Sequence, residues 1–291
     1  MRSSSGSAGK PAELLTNDLA SMNRADAERA IRAAVQTAYL GDHTALTRIL
    51  GFQKFFVDTR DVGFGGHVLL DGYWEIWLTL FCLRNVKSGM VAIDVGANMG
   101  YYTVLFGSNV GAGGHVLAVE PNPGAASLLR RSIDINGYTS RTRIEEVACS
   151  DRSLTGARLV VPATEPKNAY IADDGLLPGP GSVETACVTL DALCEPYSRV
   201  DFIKIDAEGS EERIFAGMSA ILDRHRPTVV MEINVARYAD AAGFIRRLHN
   251  VYGKIRSVSY DGHAADVSPD TLLTSNVGQD WLVVLSPRAP L

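Results

Sequence analysis

The chain has 291 residues, 46% of them hydrophobic and 21% charged, with a formal net charge of −5. A chain of this length can hold one large α/β domain with an extension or two small domains, and its composition is that of an ordinary globular protein. A net-negative chain without a basic run offers no footing for duplex nucleic acid, and no apolar run approaches a membrane span, so a cytoplasmic protein is expected.

Cys82, Cys149, Cys187 and Cys194 are scattered and none forms a C-x-x-C pair, so reduced, buried thiols are expected rather than a metal site or a disulfide framework. The N-terminus, M-R-S-S-S-G-S-A-G-K-P, lacks the apolar core of a signal peptide. Residues 1–12 are small and polar, and a disordered tail is expected through residue 22. From Asn23 to Leu40, apolar residues recur at helical spacing, which predicts an amphipathic helix closed by Gly41. That helix would cover the main domain, or serve as a lid or a homodimer face. His43–Leu50 reads as a second short helix, and Phe52–Val57 and His67–Leu70 as short strands. Asp71 or Gly72 would start the next helix, with Glu75 in its first turn.

Val91–Gly100, V-A-I-D-V-G-A-N-M-G, reads as a buried parallel strand, a glycine turn and a helix beginning at Tyr101. Free N–H groups at such a helix start make it a candidate cofactor site. His115–Val119 is the next strand. It ends at Glu120, about twenty residues beyond the turn, where a carboxylate can accept both hydroxyls of a ribose. A helix over Ala125–Ile135 follows, then a third strand over Arg143–Cys149. Leu159–Val161 and Thr185–Val188 read as paired strands around a Pro/Gly-rich insert, Pro162–Gly181, expected to be a flexible substrate loop. Thr189–Leu193 begins a short helix.

Phe202–Ile205 is a strand with Asp206 at its tip, and Glu208, Gly209 and Glu211 crowd the turn into a helix over Glu212–Leu222. Carboxylates this close raise one another's pKa unless positive charge sits among them, which Lys204, a ligand's positive group or a metal could supply. Pro227–Glu232 is a fifth strand with another acidic tip. A helix over Tyr238–Val251 and strands over Ile255–Ser259 and Trp281–Leu285 complete the pattern.

With these motifs in place, the chain resembles the FkbM family of S-adenosylmethionine-dependent methyltransferases. The resemblance rests on D-V-G-A-N-M-G-Y-Y-T at 94–103, A-V-E-P-N-P at 118–123, F-I-K-I-D-A-E-G-S-E at 202–211 and M-E-I at 231–233. It implies the class I methyltransferase fold, a Rossmann-like, seven-stranded, mostly parallel sheet with helices on both faces and its last strand antiparallel. Residues 86–288 would form that domain and 23–85 an N-terminal extension and cap. The cofactor would be S-adenosylmethionine, with S-adenosylhomocysteine as product. Its methionine part would lie at Asp94, Gly96, Ala97, Asn98 and Gly100, its ribose at Glu120, and its adenine beside Asn122 and Ala148. Asp206 would face the methionine group or the reacting centre. The D-G-Y-W-E stretch, also seen in relatives, would bring Tyr73, Trp74 and Glu75 to the pocket. Many members carry His where this chain has Ser210, so a His at that position cannot serve as the base here.

The resemblance implies O-methylation of a hydroxyl on a sugar, a glycan or a secondary metabolite. An alcohol must lose its proton, so Asp206 or Glu208 is the candidate general base, with Glu232 and Glu75 behind them. The Tyr73 and Tyr101 rings could face the sulfonium. Rival readings are an N-methyltransferase acting on an amine, an NAD-dependent oxidoreductase and a non-catalytic binding module. The turn D-x-G-x-N-x-G is not the dinucleotide pattern G-x-G-x-x-G. Asp206, Glu208 and Glu232 are oxygen ligands of a kind suited to Mg²⁺, but their spacing matches no dedicated motif, and no metal is expected.

Overall fold

A computed structural model describes residues 16–162, 168–172 and 181–290. The expected tail over 1–12 and most of the expected substrate loop therefore lie outside the described residues. The tail expected through residue 22 gives way to a helix, α1 (Thr16–Ser21), and α2 (Arg24–Ala34) follows, capped by the Asn23 side chain on the Asp26 N–H. The helix expected to reach Leu40 stops six residues short of it. β1 (Thr37–Gly41) and β2 (Thr44–Ile49) form an antiparallel hairpin where helix was predicted, and β3 (Gln53–Asp58) completes a meander. The physical reason lies in the turn. Asp42 and His43 both take positive φ, 46° and 57°, the geometry that matches the twist of a tight hairpin. An alanine-rich run carries a helical period by chance, and the turn overrides it.

α3 (Phe64–Asp71) occupies the stretch read as a strand over His67–Leu70. Asp61 Oδ1 accepts the Phe64 N–H at 3.0 Å to start it, and Gly72, at φ 74°, ends it. Gly72 is thus a helix end rather than a helix start. α4 (Ile76–Asn85) begins after Glu75, which sits outside the first turn at φ 37°.

β4 (Val91–Val95) is buried at every position, as a central parallel strand must be. It is followed by α5 (Tyr101–Asn109), β5 (His115–Val119) and α6 (Pro123–Ile135). The expected third strand divides in two. β6 (Thr142–Glu145) stays in the main sheet, while β7 (Ala148–Cys149) leaves it. β7 joins β8 (Leu154–Val160), β9 (Tyr170–Ile171) and β10 (Ser182–Val188) in a four-stranded sheet ordered β7-β10-β8-β9.

Next come α7 (Leu190–Cys194) and β11 (Phe202–Ile205). The helix expected over Glu212–Leu222 is two pieces, α8 (Glu211–Ala216) and α9 (Ser219–His225). They part at Gly217, where a Cβ would lie 2.1 Å from the Ser150 carbonyl oxygen. The chain finishes with β12 (Thr228–Ile233), α10 (Ala241–Tyr252), β13 (Arg256–Val258), β14 (Ala264–Asp266), α11 (Pro269–Thr274) and β15 (Trp281–Leu285).

The main sheet runs β14-β13-β15-β12-β11-β4-β5-β6. It is the expected class I arrangement with one more strand than seven, because β14 hairpins onto β13 at the edge. β15 is antiparallel to β12. Order reverses between β4 and β11, so the crevice at their C-terminal ends is the place where such sheets take ligands.

Alternation along the strands decides the two faces. Ile93, Val95, Ile203 and Ile205 pack on one side with Phe215 and Phe244. Ala92 and Phe202 face the other side, in one core with Ile31, Phe55, Phe81 and Phe106. The N-terminal segment therefore shares the domain's core. Phe56 N–H donates to Ser132 Oγ and Lys54 N–H to Asn136 Oδ1, both at 3.0 Å, which docks β3 on α6. The buried face of α2, Ala27 and Ile31, is filled by this chain's own α3 and α4, so it is not available as a dimer face. No helix among the described residues is long and apolar enough to cross a membrane.

Candidate active site

The crevice opens into a cavity of about 390 Å³ at the C-terminal ends of β4, β5, β11 and β12, lined also by Trp74, Glu75, Tyr170 and Ile171. Gly96 is part of its lining. Its φ is 73°, and a Cβ there would sit 1.7 Å from the carbonyl oxygen of Asp206. Glycine is needed because two strand-end turns touch at the switch point, not to admit a ligand. Gly100 has φ 94° and lies against Leu129 rather than lining the cavity.

The turn satisfies most of its own donors. Gly96 and Ala97 N–H both donate to the Val119 carbonyl, Gly100 N–H donates to Ala97, and Asn98 N–H donates to Glu120 Oε2 at 2.7 Å. The free N–H cradle expected at Asn98–Gly100 is therefore already occupied at both ends. Glu120 Oε1 also accepts the Asn122 N–H at 2.8 Å. These bonds aim a carboxylate that is only 6% exposed into the cavity. Burial, partly offset by these two backbone bonds, pushes its pKa up to about 7.

Asp94, expected beside the methionine part of the cofactor, is fully buried and lies behind the cavity wall rather than in it. Strand register sets it beside Lys204 on the same face. Thr103 Oγ donates to Asp94 Oδ2 at 2.6 Å, and Lys204 Nζ lies 3.7 Å from Oδ1. The Lys204 ammonium, 3% exposed, also donates to Asp206 Oδ2 at 3.2 Å and lies 4.9 Å over the Tyr102 ring. Burial pulls the Lys204 pKa down, but Asp206 and Asp94 outweigh it, and the net shift is upward. Burial likewise raises the Asp94 pKa, against Lys204 and Thr103. An ammonium between two carboxylates and a ring face favours the ionised pair. Tyr102 extends the chain of contacts, donating to Glu75 Oε2 at 3.0 Å.

Beyond Asp206 the crevice carries Glu208 and Glu232, with Arg237 between them. Burial, then the Asp206, Asp280, Glu75 and Glu208 carboxylates, push the Glu232 pKa up to about 9. Glu211, the other acid of this turn, is structural. It accepts the Ala207 and Gly209 N–H groups and the Tyr238 hydroxyl. Glu75, Asn98 and Glu208 all line the cavity with positive φ of 37°, 49° and 49°. Held left-handed conformations in ordinary residues cluster at functional sites.

The cavity thus brings together Glu75, Gly96, Ala97, Asn98, Glu120, Ala148, Asp206, Glu208 and Glu232 from the sequence expectation, with Trp74 and Tyr101. It leaves out Asp94, Gly100, Asn122 and Tyr73. Tyr73 turns away to the Arg32 guanidinium, which lies 5.2 Å over its ring and donates to its hydroxyl, so it cannot face a sulfonium in the cavity. Asn122 spends its side chain capping α6 at Gly124. Sequence reasoning missed Tyr102, Arg237 and Asp280. Asp280 had a signal, because the residue before an antiparallel strand returns to the edge where the parallel strands end. Among the described residues, no group of three His, Cys, Asp or Glu is placed to hold a metal ion.

Residues 94–259 match the Methyltransferase FkbM domain. The chain belongs to the FkbM methyltransferase family. The matched domain is a methyltransferase domain. Among solved structures, the FkbM methyltransferase of Methylobacillus flagellatus KT is 15% identical over 68% of this chain, with a TM-score of 0.43. This chain spans 44% of the length of that protein. Precorrin-6y C5,15-methyltransferase from Geobacter metallireducens GS-15 is 12% identical, covering 74% of this chain and 88% of that one, with a TM-score of 0.40. The C-terminal domain of the same enzyme from Rhodobacter capsulatus is 13% identical, covering 71% and 86%, with a TM-score of 0.39. No curated protein matches the chain.

Proposed function

We propose that this FkbM-family chain binds S-adenosylmethionine in the crevice and methylates a hydroxyl oxygen of a sugar, a glycan or a secondary metabolite, releasing S-adenosylhomocysteine. The observation that carries the reading is the charge of the cavity wall. Among the described residues, the acids Glu75, Glu120, Asp206, Glu208, Glu232 and Asp280 line it with two cations, Lys204 and Arg237. Such a wall favours a cation and repels the diphosphate of a nicotinamide dinucleotide. The cavity also falls within the ~300–1,000 Å³ usual for small-ligand sites.

In this reading, residues 86–288 are the methyltransferase domain and 23–85 its cap. Glu120 holds the ribose hydroxyls with the lone pairs left after its two backbone bonds, and Ala148 borders the adenine. Gly96, Ala97 and Asn98 form the floor under the methionine part, with Asp206 and Glu75 facing its positive charge. When bound, the cofactor supplies an electrophilic methyl group on a sulfonium. The strand order then leaves the ends of β11 and β12 and the start of β15 for the acceptor. Glu232, at the end of β12, is the general base of choice. A carboxylate whose proton affinity burial has raised is a better base than a solvated one, and positive charge placed nearby helps it ionise. A neutral amine is already nucleophilic and needs no such base, which favours hydroxyl over amine acceptors. Holding the acceptor oxygen in line accounts for much of the rate.

Calorimetry with S-adenosylmethionine, S-adenosylhomocysteine and NAD tests the cofactor, and mass spectrometry of hydroxylated and amine acceptors for a gain of one methylene tests the transfer. Binding of NAD in place of both sulfur compounds would sink the proposal, and gain only on amines would replace its acceptor class.

A further inference from the structure

Arg237 ends a short turn, Val235–Arg237, that follows β12. Asn234 fixes that turn, its Oδ1 accepting the Ala236 N–H at 3.1 Å and its Nδ2 donating to Asp280 Oδ1 at 2.9 Å. From there the Arg237 guanidinium reaches carboxylates on three separate segments. Nη1 lies 3.2 Å from Glu208 Oε2 and 3.5 Å from Glu232 Oε1, and Nη2 lies 3.4 Å from Asp280 Oδ1. None of these pairs is short and forked, as an ion pair built for stability would be. The guanidinium is instead shared, one third exposed, at the acceptor end of the cavity. Its main effect is therefore on the charge state and position of the carboxylates around it.

Glu232 feels that effect from all sides. Asp206 faces it from the end of β11, Glu208 from the following turn, Asp280 from before β15 and Glu75 from the cap. Lys204 points to the same face of the sheet, two residues out of register. Among these groups Arg237 is the cation in ion-pair distance of Glu232. We infer that Arg237 is a positioning residue for methyl transfer, which holds Glu232 at the acceptor end and keeps it able to take the acceptor's proton. The proton passes from the acceptor oxygen to a Glu232 carboxylate oxygen, and no other bond in the chain changes. The inference rests on the reading of Glu232 as base, and its test does not need turnover.

The full chain is labelled at the carboxyl carbon of glutamate, and Glu232 is assigned as the NMR signal lost in Glu232→Gln. In the native chain that signal titrates near pH 9. In Arg237→Met the midpoint rises by about one pH unit, because the ionised form loses its nearest cation. Arg237→Lys restores at least half of the shift. Asp280→Asn, which removes a facing carboxylate and keeps the guanidinium, moves the midpoint down. S-adenosylhomocysteine affinity stays within threefold (roughly) in all three. An unmoved midpoint in Arg237→Met overturns the inference. Should Arg237→Met not fold, an unmoved midpoint in Arg237→Gln, which removes the charge and keeps a polar side chain, overturns it. Failure of the native chain to bind S-adenosylhomocysteine would instead overturn the proposed function.

Discussion

Glu120 offers the sharpest test of the site. Its carboxylate is buried, held by the Asn98 and Asn122 N–H groups, and its pKa stands at about 7 rather than 4.5. The sign for stability follows from linkage. A carboxyl whose folded pKa is raised favours the folded state below the unfolded pKa, and that contribution is lost as pH rises through the folded value. The shift of about 2.5 units corresponds to roughly 3 kcal/mol lost between about pH 4.5 and 7 in the ligand-free protein. Cofactor binding carries the opposite sign, because hydroxyls bind best to the ionised form. With a midpoint near 7, about 9% of Glu120 is ionised at pH 6 and about 91% at pH 8. The Kd for S-adenosylhomocysteine should therefore fall about tenfold from pH 6 to pH 8. Glu120→Gln should weaken binding by roughly 1.5–3 kcal/mol at pH 8, about 10- to 150-fold, since a charge-assisted acceptor is lost and an amide N–H₂ is set against a backbone N–H. Its pH dependence should be flat apart from the ligand's own α-amino group, which the variant isolates. Isothermal calorimetry at three pH values measures both. Equal slopes in the native chain and Glu120→Gln would refute the reasoning.

Other substitutions follow the same geometry. Gly96→Val puts a side chain into the Asp206 carbonyl and should cost at least ~3 kcal/mol, a melting point lower by about 6–12 °C. A native-like melt would show that the two turns do not touch. Lys204→Met strands the buried Asp94 carboxylate and should destabilise by roughly 3–5 kcal/mol in urea unfolding, with Asp94→Asn in the same chain recovering much of it. No recovery in the double variant would mean that the pair is not ionised. Glu232→Gln should lower kcat by about 10²–10⁴ and leave S-adenosylhomocysteine affinity nearly intact. The native kcat/KM should climb about tenfold per pH unit towards pH 9, where the free Glu232 titrates. Loss of affinity rather than turnover would reassign Glu232 to the cofactor. Turnover should be the same with and without a chelator, and a chelator-sensitive rate restored by Mg²⁺ would place a cation among these acids.

Much of the sheet was legible before any coordinates. Val91–Val95, His115–Val119, Phe202–Ile205, Thr228–Ile233 and Trp281–Leu285 are short apolar runs, the first three closed by glycine or an acid, and buried strands are written in local composition. The acidic tips Glu120, Asp206 and Glu232 were legible for the same reason, since parallel strands bring their C-terminal ends to one edge. The N-terminal hairpin was not. In Thr37–Ile49 a helical period carried on from the alanine-rich run before it competes with a two-residue turn, and the outcome depends on β2 finding β3 and on β3 finding Ser132 in α6 and Asn136 at its C-terminus. Partner choice among charges was equally hidden. Asp94 and Lys204 are 110 positions apart, and only the pairing register of β4 and β11 puts them on one face. That register makes Asp94 a buried counter-ion of Lys204 behind the cavity wall. Gly96 changed meaning in the same way. The sequence by itself determined that the chain turns sharply there, because a strand followed by glycine can do little else. Only the tertiary structure decided why, by bringing the Asp206 carbonyl of another strand to the place a Cβ would occupy, a contact no local pattern encodes.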